Sequence, residues 1–397
     1  MTTKILLIFF LSVCLAGILP GCKDEAPPSL YDPNNVSGPQ PKITNLVPAS
    51  GGLAGVTKIL INGTNFSSSK EDNFVFFDAT LATVLQASPT QLQVSAPNIV
   101  KDSIKVKIAV KNSDLYSDQV LYKLEAAVVN APGLGPSDEP WGTAIDTAGN
   151  LYVSVELSGI KKVAPGGTLS DYAPASGFAH WTWLKVGPDG KVYGALNLAA
   201  VFEIRPGTSP AIVVGPTSGI GKVYALDFDP EGNIWAVGNN PAVYRVNAAK
   251  DVKAFPLNAN IRSVRVYSGF LYFAGNVDSL EKVFRCQILS GDSLGPKEDY
   301  FNFSNSSLTA PGKSLYALNF AANGDLLLGT DLPNPLIVVH PSKIAESFYP
   351  DIISPTVHIL VWGKGTTLYA VRGDANGGVV TRSVKLLQIN PQVSGAL

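Results

Sequence analysis

One short pattern, a turn followed by a strand with a large side chain at its centre, recurs through much of this chain and limits the folds open to it. It reads Ala148-Gly149-Asn150-Leu151-Tyr152-Val153, Asp189-Gly190-Lys191-Val192-Tyr193, Glu231-Gly232-Asn233-Ile234-Trp235-Ala236 and Ser268-Gly269-Phe270-Leu271-Tyr272-Phe273. Asn323-Gly324-Asp325-Leu326-Leu327-Leu328 and Gly365-Thr366-Thr367-Leu368-Tyr369-Ala370 complete the set. The column Tyr152, Tyr193, Trp235, Tyr272, Leu327, Tyr369 is spaced by 41, 42, 37, 55 and 42 residues. A β-unit of about 42 residues cannot bury both its faces alone, and radial stacking of four-stranded units solves that problem. Six copies predict a six-bladed β-propeller over residues 125–397.

The register carries further expectations. After Tyr369 the last unit has room for one more strand, Arg382 to Ile389, so Glu125 to Asn130 is expected to close the ring by pairing into it. Closure removes edges that would otherwise pair with other chains. The interval of 55 residues leaves an insertion around Ser290 to Ser307, expected as an excursion on one face of the fourth unit. Counting eleven residues back from the column reaches the start of each inner strand: Trp141, Thr182, Tyr224, Tyr316 and His358, with Arg262 or Ser263 in the fourth unit. Together with Trp181 and Trp183 these residues are expected to form an aromatic, weakly polar cup at the channel mouth, suited to stacking on a sugar ring or another flat ligand. Each aromatic taken singly fits equally well as filler between blades. Tyr152, Tyr193 and Trp235, in mid-strand, are assigned to the core.

Charge and composition exclude other classes. Charged residues make up 15% of the chain and apolar ones 46%, and the 37 Gly and 29 Pro follow no period, as in a turn-rich β protein. Without Lys4 of the leader described below, 29 basic residues face 31 acidic ones, a net charge of −2 that gives no field for nucleic acid. The three histidines, His180, His340 and His358, have no metal-ligand spacing, and Cys-x-x-Cys, Gly-x-Ser-x-Gly and phosphate-loop motifs are absent, so no cofactor or metal is expected. The reading leans to binding rather than catalysis. In the enzyme alternative, His180 beside Trp181 is the candidate base.

At the amino terminus, Lys4 precedes the apolar run Ile5 to Ile18, and Gly21 precedes Cys22, which reads as a signal peptide over 1–21. Leu19-Pro20-Gly21-Cys22 resembles the lipobox of bacterial lipoproteins, although that family usually has a smaller residue than Pro20. The resemblance implies lipidation at Cys22, and several acyl chains on one residue anchor stably, since each buried methylene contributes about 0.8 kcal/mol. Lys23-Asp24-Glu25 is similar to the acidic signal that sends lipoproteins of Bacteroidetes-type bacteria to the outer face of the outer membrane. Residues 22–40, with Ala26-Pro27-Pro28, Pro33-Asn34-Asn35 and Gly38-Pro39, read as a flexible tether. With Cys14 removed and Cys22 lipidated, Cys286 has no disulfide partner.

Residues 41–124 carry short strands such as Lys58 to Gly63, Phe74 to Phe77, Gln91 to Val94 and Ile104 to Val110. Pro41-Lys42-Ile43, Pro48, Gly51-Gly52, Ile61-Asn62-Gly63-Thr64-Asn65-Phe66, Phe77-Asp78 and Ala96-Pro97-Asn98 resemble the IPT/TIG family, which implies an Ig-like β-sandwich serving as spacer or interaction module. The repeats resemble NHL units, most plainly in Leu226-Asp227-Phe228-Asp229-Pro230-Glu231-Gly232-Asn233-Ile234-Trp235. The fold class expected is therefore all-β, an IPT/TIG sandwich followed by a six-bladed NHL-like propeller. Proteins of this plan look like surface lipoproteins of Bacteroidetes-type bacteria that capture a ligand, here expected to be an extracellular glycan, as accessories to an outer-membrane nutrient importer. A propeller lyase or hydrolase acting on polysaccharide, and a capture protein for a vitamin or siderophore, fit the same plan.

Overall fold

The computed structural model describes residues 36–396 apart from Ser176 and Gly291, so the signal peptide, Cys22 and most of the tether lie outside the described residues. The described chain is all-β, with two short 3-10 turns, Lys70–Asp72 and Pro216–Ser218, as its only helical pieces.

Residues 42–125 form two packed sheets. One orders Lys42–Val47, Lys58–Thr64, Gln91–Ser95 and Val84–Ser88, and the other Gly52–Leu53, Val120–Glu125, Lys101–Val110, Asn73–Phe77 and Thr80–Ala82. Strand alternation explains the sandwich: Ile59 and Ile61 of one sheet and Ile104, Val106 and Ile108 of the other turn inward and are wholly buried, while their neighbours face out. Tyr122 packs edge-on against Phe77 with ring centroids 6.3 Å apart, and its hydroxyl donates to the Pro48 carbonyl at 2.9 Å.

From Val128 onward the strands pair into six four-stranded units. Their inner strands are Pro140–Ile145, Trp183–Val186, Ala225–Phe228, the second half of Val252–Tyr267, Leu315–Phe320 and Val357–Trp362. Each inner strand touches the next, and the last touches the first, so the ring is closed around a central channel. Ring closure is made by Val128–Asn130, which pairs antiparallel with Val379–Ile389 in the register Val128 to Ile389 and Asn130 to Leu387. That is the strand expected from the sequence to close the ring.

The repeated turn has a physical basis. Asp229 accepts the Asn233 backbone and side-chain N–H groups at 2.8 and 2.9 Å and the Trp235 indole N–H at 2.8 Å. Asp146 does the same for Asn150 and for the Tyr152 hydroxyl, and Asp189 takes the Tyr193 hydroxyl at 2.9 Å. The aspartate thus fixes the turn and satisfies the polar end of the column aromatic, whose ring goes into the core. Tyr152, Tyr193 and Trp235 are 7%, 9% and 0% exposed, as expected for core residues.

Three features depart from the sequence reading. Val252–Tyr267 is one continuous strand that serves as the outer strand of the third unit and the inner strand of the fourth. The insertion is no excursion: Glu298–Asn302 pairs with Leu280–Ser290 and is itself the outer strand of the fourth unit. Finally, the tail returns to the ring, where Gly395 bridges Ala321 and lies on the Trp362 ring, with no room for a side chain because a Cβ would come 2.3 Å from the ring.

Candidate functional site

Four of the positions singled out by the repeat register share one backbone property. In the first, fourth, fifth and sixth units the pairing of the inner strand slips between Pro140 and Thr143, Ile261 and Ser263, Leu315 and Ala317, and Val357 and Ile359. Trp141, Arg262, Tyr316 and His358 sit in those slips, so each belongs to a β-bulge that turns a side chain out of the regular alternation. Thr182 and Tyr224 immediately precede their strands and still donate their N–H groups to Ala195 and Val237. The mouth of the channel is therefore built where four of the six inner strands begin with a bulge and the other two begin regularly.

Around it lies a concavity of about 410 Å³ lined by Trp141, His180, Thr182, Tyr224 and Arg262, by Asn197, Asn239 and Asn260, and by Gly378 to Val380. The asparagine amides are exposed at the rim. Asn239 and Asn260 are cross-strand partners, and Asn260 also pairs with Asn276. Neighbouring Asn240, by contrast, is spent on the Lys222 backbone. Burial raises the pKa of the half-buried Tyr224 hydroxyl against the opposing pull of Arg262.

Arg262 is buried, donates to the Leu315 carbonyl at 2.5 Å and to the Glu281 carboxylate, and lies over the Tyr316 ring. Its charge is cancelled by Glu281, which also accepts the Leu315 N–H at 2.9 Å. On the opposite wall the His180 ring stacks on Trp141, centroids 3.7 Å apart and planes within 7°. Glu156 accepts the Trp141 indole N–H at 2.7 Å and lies 3.5 Å from His180 Nδ1. Burial holds the His180 pKa below its usual value, opposed by Glu156. The cup is thus rich in amides and hydroxyls and carries paired rather than free charges, an arrangement fitted to a neutral ligand with many hydroxyl groups.

The expected site residues divide into three groups. Trp141, Tyr224 and Arg262 do meet at the cup. Trp141, however, is 4% exposed and one of its faces is covered by His180, so it supports the wall and offers no free stacking surface. Tyr316 and His358 stand one layer behind. Tyr316 underlies Arg262, and His358 is tilted against Trp141 at 5.6 Å, with Nε2 3.0 Å from the Ser383 hydroxyl. Burial first, and then the proximity of His180, push the His358 pKa down to about 3.

Trp181 and Trp183 do not reach the cup. Trp181 turns into the core edge-on to Phe202 at 5.3 Å, over Gly194, where any Cβ would come 2.5 Å from the indole. Trp183, two residues on and inside the regular strand, lines the opposite end of the channel. What sequence reasoning missed was the asparagine row and the Asn376-Gly377-Gly378 hairpin, whose Val379 is 63% exposed at the rim. The Asn-Gly-Gly turn signal could have shown the hairpin. Nothing in a linear pattern places Asn197 beside Asn260.

Residues 41–124 match the IPT/TIG domain family. No curated protein matches the chain. Among solved structures, a putative phosphatase of Bacteroides thetaiotaomicron is similar with a TM-score of 0.56 at 11% identity, the match covering 90% of this chain and 98% of that one. An auxiliary nutrient binding protein of the same organism is similar with a TM-score of 0.52 at 11% identity, again over 90% of this chain and 98% of that one. A putative gluconolactonase gives a TM-score of 0.51 at 16% identity over 68% of this chain and 93% of that one. At such identities the likeness is one of fold.

Proposed function

We propose that this protein captures an extracellular nutrient, a neutral glycan, in the cup at the start of the inner strands, and presents it to an outer-membrane importer while held at the cell surface by lipid on Cys22. The observation that carries the reading is the lining of the cup: three rim asparagines, the Tyr224 hydroxyl and an arginine already neutralised by Glu281. Sugars are bound by such planar polar groups beside an aromatic ring, and a cavity of about 410 Å³ has room for one or two sugar units. Similarity in fold to an auxiliary nutrient binding protein supports the nutrient part of the reading.

Calorimetry of the full chain in detergent against a panel of neutral oligosaccharides tests it. At least one is expected to bind, and Tyr224→Ala should weaken that binding several-fold to about tenfold, the contribution of one stacking ring. Asn260→Ala should weaken it further, and both variants should keep the parent melting temperature within a few degrees. Failure of every neutral glycan to bind, or binding untouched by both changes, would overturn the assignment. Release of a cleaved product in the same samples would replace capture by catalysis, with His180 the first residue to change.

A further inference from the structure

The other end of the channel is a second cavity, larger than the cup, at about 800 Å³. It lies between the far halves of the inner strands, with Trp183, Leu184 and Lys185 on one side, Arg265 and Tyr267 on another, Leu360 and Trp362 opposite, and Ser394 to Ala396 of the returning tail at its edge. Its chemistry is the reverse of the cup's.

Its charged lining consists of Lys185, Arg265 and Lys364 with Asp146, beside Thr143, Thr147, Asn319 and Ser394. Asp227 is held by Lys185 Nζ at 2.6 Å, by an Arg265 guanidinium N–H at 3.3 Å and by the Val266 backbone N–H at 2.9 Å. Asp146 is already occupied by the Asn150 backbone and side-chain N–H groups and the Tyr152 hydroxyl. Both carboxylates are saturated, whereas the cations Lys185, Arg265 and Lys364 outnumber them by one. Exposure decides which partner faces the cavity: the Lys185 and Arg265 side chains keep 25% and 22% of their surface, Asp227 only 4%. Two cations thus share the one carboxylate of Asp227, and the charge they leave uncompensated at the cavity wall is completed by acceptor oxygens carrying negative charge.

We propose that the cavity opposite the cup binds a small organic carboxylate, its oxygens taken by Lys185 and Arg265 and its carbon frame packed against Leu184, Leu360 and Tyr267. The volume suits a single acidic sugar or an aromatic acid. This site is separate from the glycan cup and stands whether or not the cup binds glycan.

The test is titration of the full chain in detergent with D-glucuronate and with benzoate, read by calorimetry and by tryptophan fluorescence, against D-glucose and benzamide as uncharged counterparts. At least one carboxylate is expected to bind with its neutral counterpart at least tenfold weaker, and Lys185→Met, which leaves the Asp227–Arg265 pair intact, should weaken the carboxylate about tenfold. Tyr224→Ala should leave that binding unchanged. If Lys185→Met melts early, Arg265→Gln, which leaves the Lys185–Asp227 pair intact, should lose binding several-fold. The proposal is overturned by no binding of either carboxylate up to about 10 mM. Equal binding of acid and neutral counterpart would also overturn it. So would loss of carboxylate binding in Tyr224→Ala, or its persistence in both Lys185→Met and Arg265→Gln.

Discussion

Two aromatic residues at the same register position illustrate how burial separates roles. Trp141 and Tyr224 both begin inner strands, yet Trp141 is covered by His180 and tied to Glu156 while Tyr224 stays half-buried at the cup. Trp141→Ala should therefore act on stability, costing about 3–5 kcal/mol in chemical denaturation, where Tyr224→Ala acts on binding. His358 gives a signature in pH. Its folded pKa of about 3 lies below the ordinary histidine value of 6.5, so unfolding takes up a proton between those limits. Its contribution is fully present above pH 6.5 and is lost as pH falls toward 3. Denaturation curves across that window should show a steeper acid loss for the parent than for His358→Gln, and parallel curves would show that His358 is not the group that titrates.

Strands were legible in the sequence to the extent that their pattern was local. The column from Tyr152 to Tyr369 could be read because each aromatic is fixed by an aspartate four to six residues before it where one is present, as at Asp146, Asp189 and Asp229. The closing strand was found because the last unit was one strand short. Counting back from the column reaches the bulges at Trp141, Arg262, Tyr316 and His358, whereas Thr182 and Tyr224 stand at inner strands that begin without one. The mouth's occupants were legible only in part. Trp181 leaves the mouth because Gly194, across the strand pair, makes room for its ring, and that fact lies in packing between strands. The fusion of two units through Val252–Tyr267 was hidden for a related reason: the strand changes partner at Asn260, which pairs with Asn239 on one side and Asn276 on the other, and no local pattern marks that exchange. The closing strand yields the prediction at this scale. A chain beginning at Ala131 should melt well below one beginning at Leu124, since it lacks the pairing of Val128–Asn130 and the packing of Val128. Equal melting temperatures would mean that the ring closes without it.

For the molecule as a whole, the expectation at Cys22 concerns where the binding surfaces are held. Cys22→Ser should move the protein from the membrane fraction to the soluble fraction, and protease added to whole cells should cut the anchored parent but not a cytoplasmic control. Membrane attachment of the serine variant would rule out the lipid anchor. If the chain is anchored at Cys22 and holds a polymer in the cup, as proposed, the sandwich and ring would also form a load path. The sandwich ends at Glu125 and the ring's closing strand starts at Val128, so any pull between the membrane and a large captured polymer enters the ring at three residue pairs, Val128 to Ile389, Val129 to Gln388 and Asn130 to Leu387. The third and fourth units, spliced by one continuous strand, sit well away from that seam and share its strain through their neighbours. Drag on such a cargo would then be borne first by the seam, and a firm enough tug would unlatch the ring there before it parted the spliced pair.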